Sequence, residues 1–226
     1  ACYGSLRENI EKQDGVTPAS FGAVGISAMM HGYLPFDKNG KQISMFQTWR
    51  NTNTQEAADV LTELFDFNIP LRWSIAHLYQ CMLDREEHLK DLAFLTTLSG
   101  CIHERLTGEK VLGVNDASGM FPIDPETKDY YEKMVVQFDE LAEKEGYAWK
   151  LRDVLPKVLP AGEAAGVLSE EGAALLDETG TLKAGIPMCP PEGDAGTGMM
   201  ATNTVTQRTG NVSAGTSTFA VIILEK

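Results

Sequence analysis

The sequence predicts an α/β fold, and three observations carry that prediction. Apolar runs of strand length recur at residues 21–28, 186–189 and 210–224. Between them, apolar residues fall at the 3.6 spacing of helices buried on one side. The 226 residues, 43% of them hydrophobic, are enough to bury a sizeable core. The run at 21–28 is small-residue and apolar without in/out alternation, which suits a strand of a parallel sheet covered on both faces.

The elements follow in order. Residues 1–14 read as the tail of an amphipathic helix closed by Asp14-Gly15 and then Pro18. The strand at 21–28 leads straight into Met29-Met30-His31-Gly32. Residues 33–37 and 42–46 flank Lys38-Asn39-Gly40 and predict a hairpin with its turn at Asn39-Gly40. Trp49-Arg50-Asn51-Thr52 follows. Thr54 is the expected N-cap of a helix carrying Ala57, Ala58, Val60, Leu61 and Leu64. Pro70 opens a second helix through Leu83, and residues 91–106 make a third, closed by Thr107-Gly108.

Asn115-Asp116-Ala117-Ser118-Gly119 is a turn cluster, and residues 126–145 form another amphipathic helix. Three prolines and many small residues occupy 150–184, before a helix near 169–178. A brief strand at 186–189 is broken by Pro190-Pro191, and a helix is expected to start within 195–201. The last run, 210–224, reads as a strand with Gly215-Thr216-Ser217 as a bend in its middle.

Charge narrows the function. Nineteen Lys and Arg against 32 Asp and Glu give a net charge of −13. That balance excludes a nucleic-acid binder, whose footprint is basic, and disfavours an anionic membrane surface. No apolar run approaches transmembrane length. Cys2, Cys81, Cys101 and Cys189 lie far apart with no C-x-x-C pair. Free thiols in a reducing cytoplasm are the expectation, with a zinc site as the alternative, and no metal ligand set is assigned. His77, His88 and His103 fall within helical patterns and read as core or surface residues. The chain starts in mid-helix without Met and stops two residues after a strand, so an excised piece is expected.

Polar residues gather where strands end. His31 and Asp194 both follow apolar strands, the position where α/β sheets collect ligands. His31 alone reads equally as a satisfied turn histidine, and Asp116 alone as a turn or cap residue. Asp194 says more. Gly193 precedes it, Gly196 follows, and a helix begins beyond, where the macrodipole favours negative charge. A carboxylate there suits a general base for a hydroxyl proton; a plain helix cap is the other reading. Residues 193–198 read G-x-x-G-x-G, the wrong order for a dinucleotide fingerprint and without a P-loop lysine. Gly215-Thr216-Ser217 could turn amides and hydroxyls to an anion, or mark a bulge.

Taken in order, these strings resemble the FGGY family of sugar kinases, its xylulokinase branch most of all. The resemblance rests on Gly25-Ile-Ser-Ala-Met-Met-His-Gly32, Phe36-Asp-Lys-Asn-Gly40 and Trp49, then Arg105-Leu-Thr-Gly-Glu109 with Asn115-Asp-Ala-Ser-Gly119. Gly193-Asp-Ala-Gly196 and Gly210-Asn-Val-Ser-Ala-Gly-Thr-Ser217 complete it. It implies a ribonuclease-H-like (actin/hexokinase-type) fold with helical insertions, truncated at both ends. Residues 1–208 would be the sugar-binding N-terminal domain without its first β-hairpin, and 209–226 the start of the nucleotide-binding C-terminal domain.

The resemblance further implies transfer of the ATP γ-phosphoryl to a sugar hydroxyl with Mg²⁺, D-xylulose being the first candidate. Asp194 falls on the catalytic base, and Met30 and His31 on a pair lining the ketopentose site. Trp49, Asn51 and Asp116 fall near the sugar, and Gly215, Thr216 and Ser217 on a phosphate-binding turn. The family usually carries Trp-x-Asp where this chain has Trp49-Arg50-Asn51, so its sugar is open between D-xylulose and another ketose or polyol. The fragment alone is expected to be catalytically silent. A non-catalytic sugar-binding regulatory module of the same fold is the alternative, and the assembly state stays open, a homodimer included.

Overall fold

A computed structural model describes residues 2–214 and 218–225. It opens with helix α1 (Cys2–Asp14), then strands β1 (Ser27–Ala28) and β2 (Leu34–Phe36). Helices α2 (Gln55–Phe65) and α3 (Ser74–Leu83) precede β3 (Phe94–Thr96) and α4 (Leu98–Thr107). Next come β4 (Val111–Gly113), α5 (Val114–Ala117), α6 (Glu132–Lys144), α7 (Leu151–Val154) and β5 (Lys157–Leu159). The chain continues through α8 (Glu170–Leu176), β6 (Glu192–Gly193), α9 (Asp194–Ala201), β7 (Gly210–Ala214) and β8 (Thr218–Ile222).

Parallel pairing builds the centre. β1 pairs with β6, Ala28 opposite Gly193, and a parallel bridge between Val24 and Met188 extends the pairing backwards. β4 pairs in parallel with β5, and the Gly113 N–H donates to the Pro191 carbonyl at 2.8 Å, which joins β4 to the approach of β6. The largest core cluster packs Leu61, Ile75, Leu78 and Met82 of α2 and α3 against Phe121 and Phe138. A second cluster, with Leu106, Leu168, Ile186 and Met188, lies under α4 and α8.

Several expectations are corrected. The helix expected over 91–106 is split: Phe94–Thr96 is a buried strand pairing antiparallel with β2, and the helix begins at Leu98. The Thr97 hydroxyl accepts from the Gly100 N–H and marks that boundary. Residues 70–73 form a turn ahead of Ser74, because the Trp73 backbone is extended. The helix predicted from 126 begins at Glu132, after a bridge between Ile123 and Tyr130. Thr54 stands at the expected N-cap position, but its hydroxyl donates to the Leu71 carbonyl instead of accepting from the helix. Asn115 and Asp116 lie in the short helix α5, with turn residues following. The run at 210–224 is two antiparallel strands, Gly210 opposite Ile222 and Ala214 opposite Thr218. The Gly215-Thr216-Ser217 bend lies outside the described residues.

Candidate active site

The carboxyl ends of β1, β4 and β6 converge, so Met30-His31, Asn115-Asp116 and Asp194 leave the sheet together. Close approach depends on Gly193. A Cβ there would strike the Met30 side chain, stand 2.7 Å from its sulfur, and lie 3.2 Å from the Asn115 Oδ1. Asn115 Oδ1 accepts from the Gly196 N–H at 3.2 Å. Gly196 lies in the first turn of α9, whose leading amides have no partner within the helix. Asn115 therefore caps from across the sheet the helix that presents Asp194.

Asp194 is exposed, and its carboxylate takes part in no hydrogen bond or ion pair among the described residues. Asp116 is its opposite. It is fully buried, and its Oδ2 accepts from Thr97 Oγ1 at 2.6 Å and from Ser99 Oγ, while Oδ1 has no partner among the described residues. Burial pushes its carboxyl up to about 6, the charge of Asp194 adds to that, and the two hydroxyls oppose it. The Asp116 backbone N–H donates to Glu192 Oε2 at 3.1 Å. Glu192 is itself pushed up to about 7, by burial first and then by Asp116.

His31 holds a left-handed backbone, φ +67°, uncommon outside glycine. Its Nδ1 lies 3.2 Å from the Gly119 carbonyl, which can only accept, so Nδ1 carries the proton and Nε2 keeps a free lone pair. Burial lowers its pKa, Arg72 adds to that, and the Gly119 carbonyl and Asp194 pull the other way. The ring is therefore neutral at pH 7.

Trp49 and Asn51 stand apart from this group. Trp49 is 38% exposed, with the Arg50 guanidinium 5.2 Å from its ring centre. Asn51 gives its amide to Gln47 Oε1 and accepts from the Asn53 N–H. It lines a separate cavity of about 210 Å³ with Tyr33, His77 and Cys81. The phosphate turn expected at Gly215, Thr216 and Ser217 lies outside the described residues. Sequence reasoning missed Glu192 as a site residue. An acid directly after Pro190-Pro191, two residues before Asp194, was the available signal.

The model of the FGGY family of carbohydrate kinases, N-terminal domain, matches residues 1–201. No curated protein matches the chain in sequence. Solved structures do match in fold. A "xyloylose" kinase from Brucella ovis is 19% identical at a TM-score of 0.78, over 97% of this chain and 44% of that one. A xylulose kinase from Rhodospirillum rubrum is 16% identical, also at 0.78, over 97% and 45%. A Plasmodium falciparum glycerol kinase with ADP is 17% identical at 0.74, over 98% and 44%. The chain thus spans less than half the length of each of these relatives. Its mixed parallel α/β architecture is that of the actin/hexokinase-type fold these kinases share. The family-model match over 201 residues, together with this fold, places the chain in the FGGY family of carbohydrate kinases.

Proposed function

We propose that this chain supplies the sugar side of an ATP-dependent carbohydrate kinase, with Asp194 as the base that takes the proton from the attacking hydroxyl. The observation that carries the reading is the free, exposed carboxylate of Asp194 at the start of α9, beside the neutral His31. A general base must be within reach of its proton and unoccupied by other partners. His31 Nε2 accepts from a second sugar hydroxyl, Met30 packs against the carbon skeleton, and Asp116 fixes the wall of the pocket. D-xylulose is the first substrate to try; the change from Trp-x-Asp to Trp49-Arg50-Asn51 keeps other ketoses and polyols on the panel.

Mg²⁺–ATP, when bound, supplies the phosphoryl group and the charge neutralisation that loose transfer requires. The exposed carboxylate of Asp194 is an oxygen donor of the kind a hard cation takes, whereas Glu192 is held by the Asp116 N–H. Residues 1–208 act as the sugar-binding domain and 209–226 as the start of the nucleotide-binding one, so the 226-residue chain is silent by itself. The kinase acts in a reducing cytoplasm, where its cysteines stay thiols.

The test is an ADP-release assay on the full-length gene product with Mg²⁺–ATP and a panel of ketoses, aldoses and polyols. Turnover on one sugar or a close set supports the reading. Silence across the panel, with sugar binding still measurable by calorimetry, overturns it in favour of a regulatory sugar-binding module.

A further inference from the structure

Away from that site, the chain doubles back at the end of α3. Arg85 adopts φ +55°, its N–H donates to the Met82 carbonyl at 3.2 Å, and the Glu86 N–H donates to the Cys81 carbonyl at 3.0 Å. This reversal returns Glu86 and His88 over Cys81. A thiol sulfur, a carboxylate oxygen and an imidazole nitrogen then lie within 4.8 Å of one another. Among the described residues, no other three such groups are so placed. His88 Nδ1 is 3.0 Å from Glu86 Oε2, and His88 Nε2 is 2.7 Å from the hydroxyl of Tyr33, a fully buried side chain.

Two further features distinguish the cluster from a chance grouping of polar side chains. The Tyr33 hydroxyl occupies one imidazole nitrogen and orients the ring so that the other faces Glu86, the arrangement that holds a metal-ligating histidine in place. Cys81 and Glu86 also line the cavity of about 210 Å³, together with His77, whose Nε2 is buried with no hydrogen-bond partner among the described residues.

We propose that Cys81, Glu86 and His88 bind one divalent cation of borderline softness, Zn²⁺ being the type. A mixed sulfur, nitrogen and oxygen set selects such an ion over Mg²⁺, which takes oxygen donors. Three protein ligands leave a fourth position for water on the cavity side. On binding, the Cys81 S–H bond gives way to a metal–sulfur bond and the proton goes to solvent. The ion pins the end of α3 to Tyr33, two residues from His31, and the proposal does not depend on the kinase reading.

The experiment is a Co²⁺ titration of the chelator-treated 226-residue chain. Expected are one equivalent bound, a thiolate-to-Co²⁺ charge-transfer absorption, displacement by Zn²⁺, and none by excess Mg²⁺. Cys81→Ser should abolish the band, His88→Gln should weaken binding at least about tenfold, and Cys189→Ser, which alters an exposed thiol, should change neither. A band that is missing from the parent chain, or one that survives in Cys81→Ser, overturns the proposal. If a variant does not fold by circular dichroism, alkylation of the parent chain decides. Zn²⁺ should protect Cys81 and leave Cys189 reactive, and equal labelling of Cys81 with and without Zn²⁺ refutes the site.

Discussion

The Asp116 backbone amide donates to the carboxylate of Glu192, so two acids 76 positions apart are joined through a main-chain N–H. The contact exists because Gly113 has no side chain. A Cβ there would collide with the Glu192 carboxyl, which occupies that space instead. A Gly in β4 thus admits a half-buried acid from β6, and that acid fixes the start of α5. Both carboxyls are held above their ordinary range, Asp116 at about 6 and Glu192 at about 7.

Raised carboxyl values make the fold bind protons that the unfolded chain has released. Stability from these groups is therefore full below about pH 4 and lost as pH rises through 6 to 7. For the buried Asp116, the rise from 3.8 to about 6 is worth at most about 3 kcal/mol. Urea melts at pH 4.5, 6 and 7.5 should show the decline, and Asp116→Asn should flatten it. A variant that keeps the parent's slope would show that Asp116 does not titrate in this window.

Asp194, the proposed base, carries little of the structure, since its carboxylate has no partner among the described residues. In the full-length protein, Asp194→Asn should lower kcat at least about a hundredfold while calorimetric sugar affinity changes only a few-fold. Unchanged melting temperature is expected with it. Near-parental turnover removes Asp194 as the base.

His31 depends on Gly119. A Cβ at 119 would stand 2.6 Å from His31 Nδ1, and the same residue's carbonyl accepts that nitrogen's proton. Gly119→Ala should displace the ring and raise KM for the sugar about tenfold or more, with kcat less affected, since one misplaced hydrogen bond costs about 1–2 kcal/mol. His31→Ala should act in the same direction. If Gly119→Ala leaves KM unchanged, the ring does not touch sugar.

Much of this arrangement was legible in the sequence. His31 after an apolar strand, Asn39-Gly40 in a turn and Gly108 as a left-handed cap all follow from local chemistry, and the helix expected from 195 begins one residue earlier, at Asp194, with Gly193 as its cap. The three-residue strands β3, β4 and β5 were not legible, because they are shorter than any period that could reveal them. Phe94–Thr96 fell inside a helical pattern, and antiparallel pairing with β2 overrode it. Glu192 was missed because its place depends on a missing side chain in β4, a non-local fact. Asn51 went elsewhere because Gln47 and Asn53, its near neighbours, satisfy its amide.

Two glycines in helices give opposite expectations and test the packing directly. At Gly172 in α8, a Cβ would enter the backbone of Leu106, 2.8 Å from its Cα and 2.9 Å from its carbonyl carbon. Backbone cannot move aside as the end of a side chain can. The same Leu106 carbonyl accepts the Ser169 N–H at 2.9 Å, and the Ser169 hydroxyl caps the Gly172 N–H at 2.9 Å. Alanine there pushes α8 off α4, breaks that anchor and disturbs the cluster of Leu106, Leu168 and Ala173. Gly172→Ala should cost about 2–3 kcal/mol despite the better helix propensity of alanine. Gly198 in α9 has nothing within 4 Å of its would-be Cβ, so Gly198→Ala should gain about 0.5–1 kcal/mol. Denaturant midpoints of the two variants should move in opposite directions, and a Gly172→Ala chain as stable as its parent would mean that α8 does not seat on Leu106 in solution.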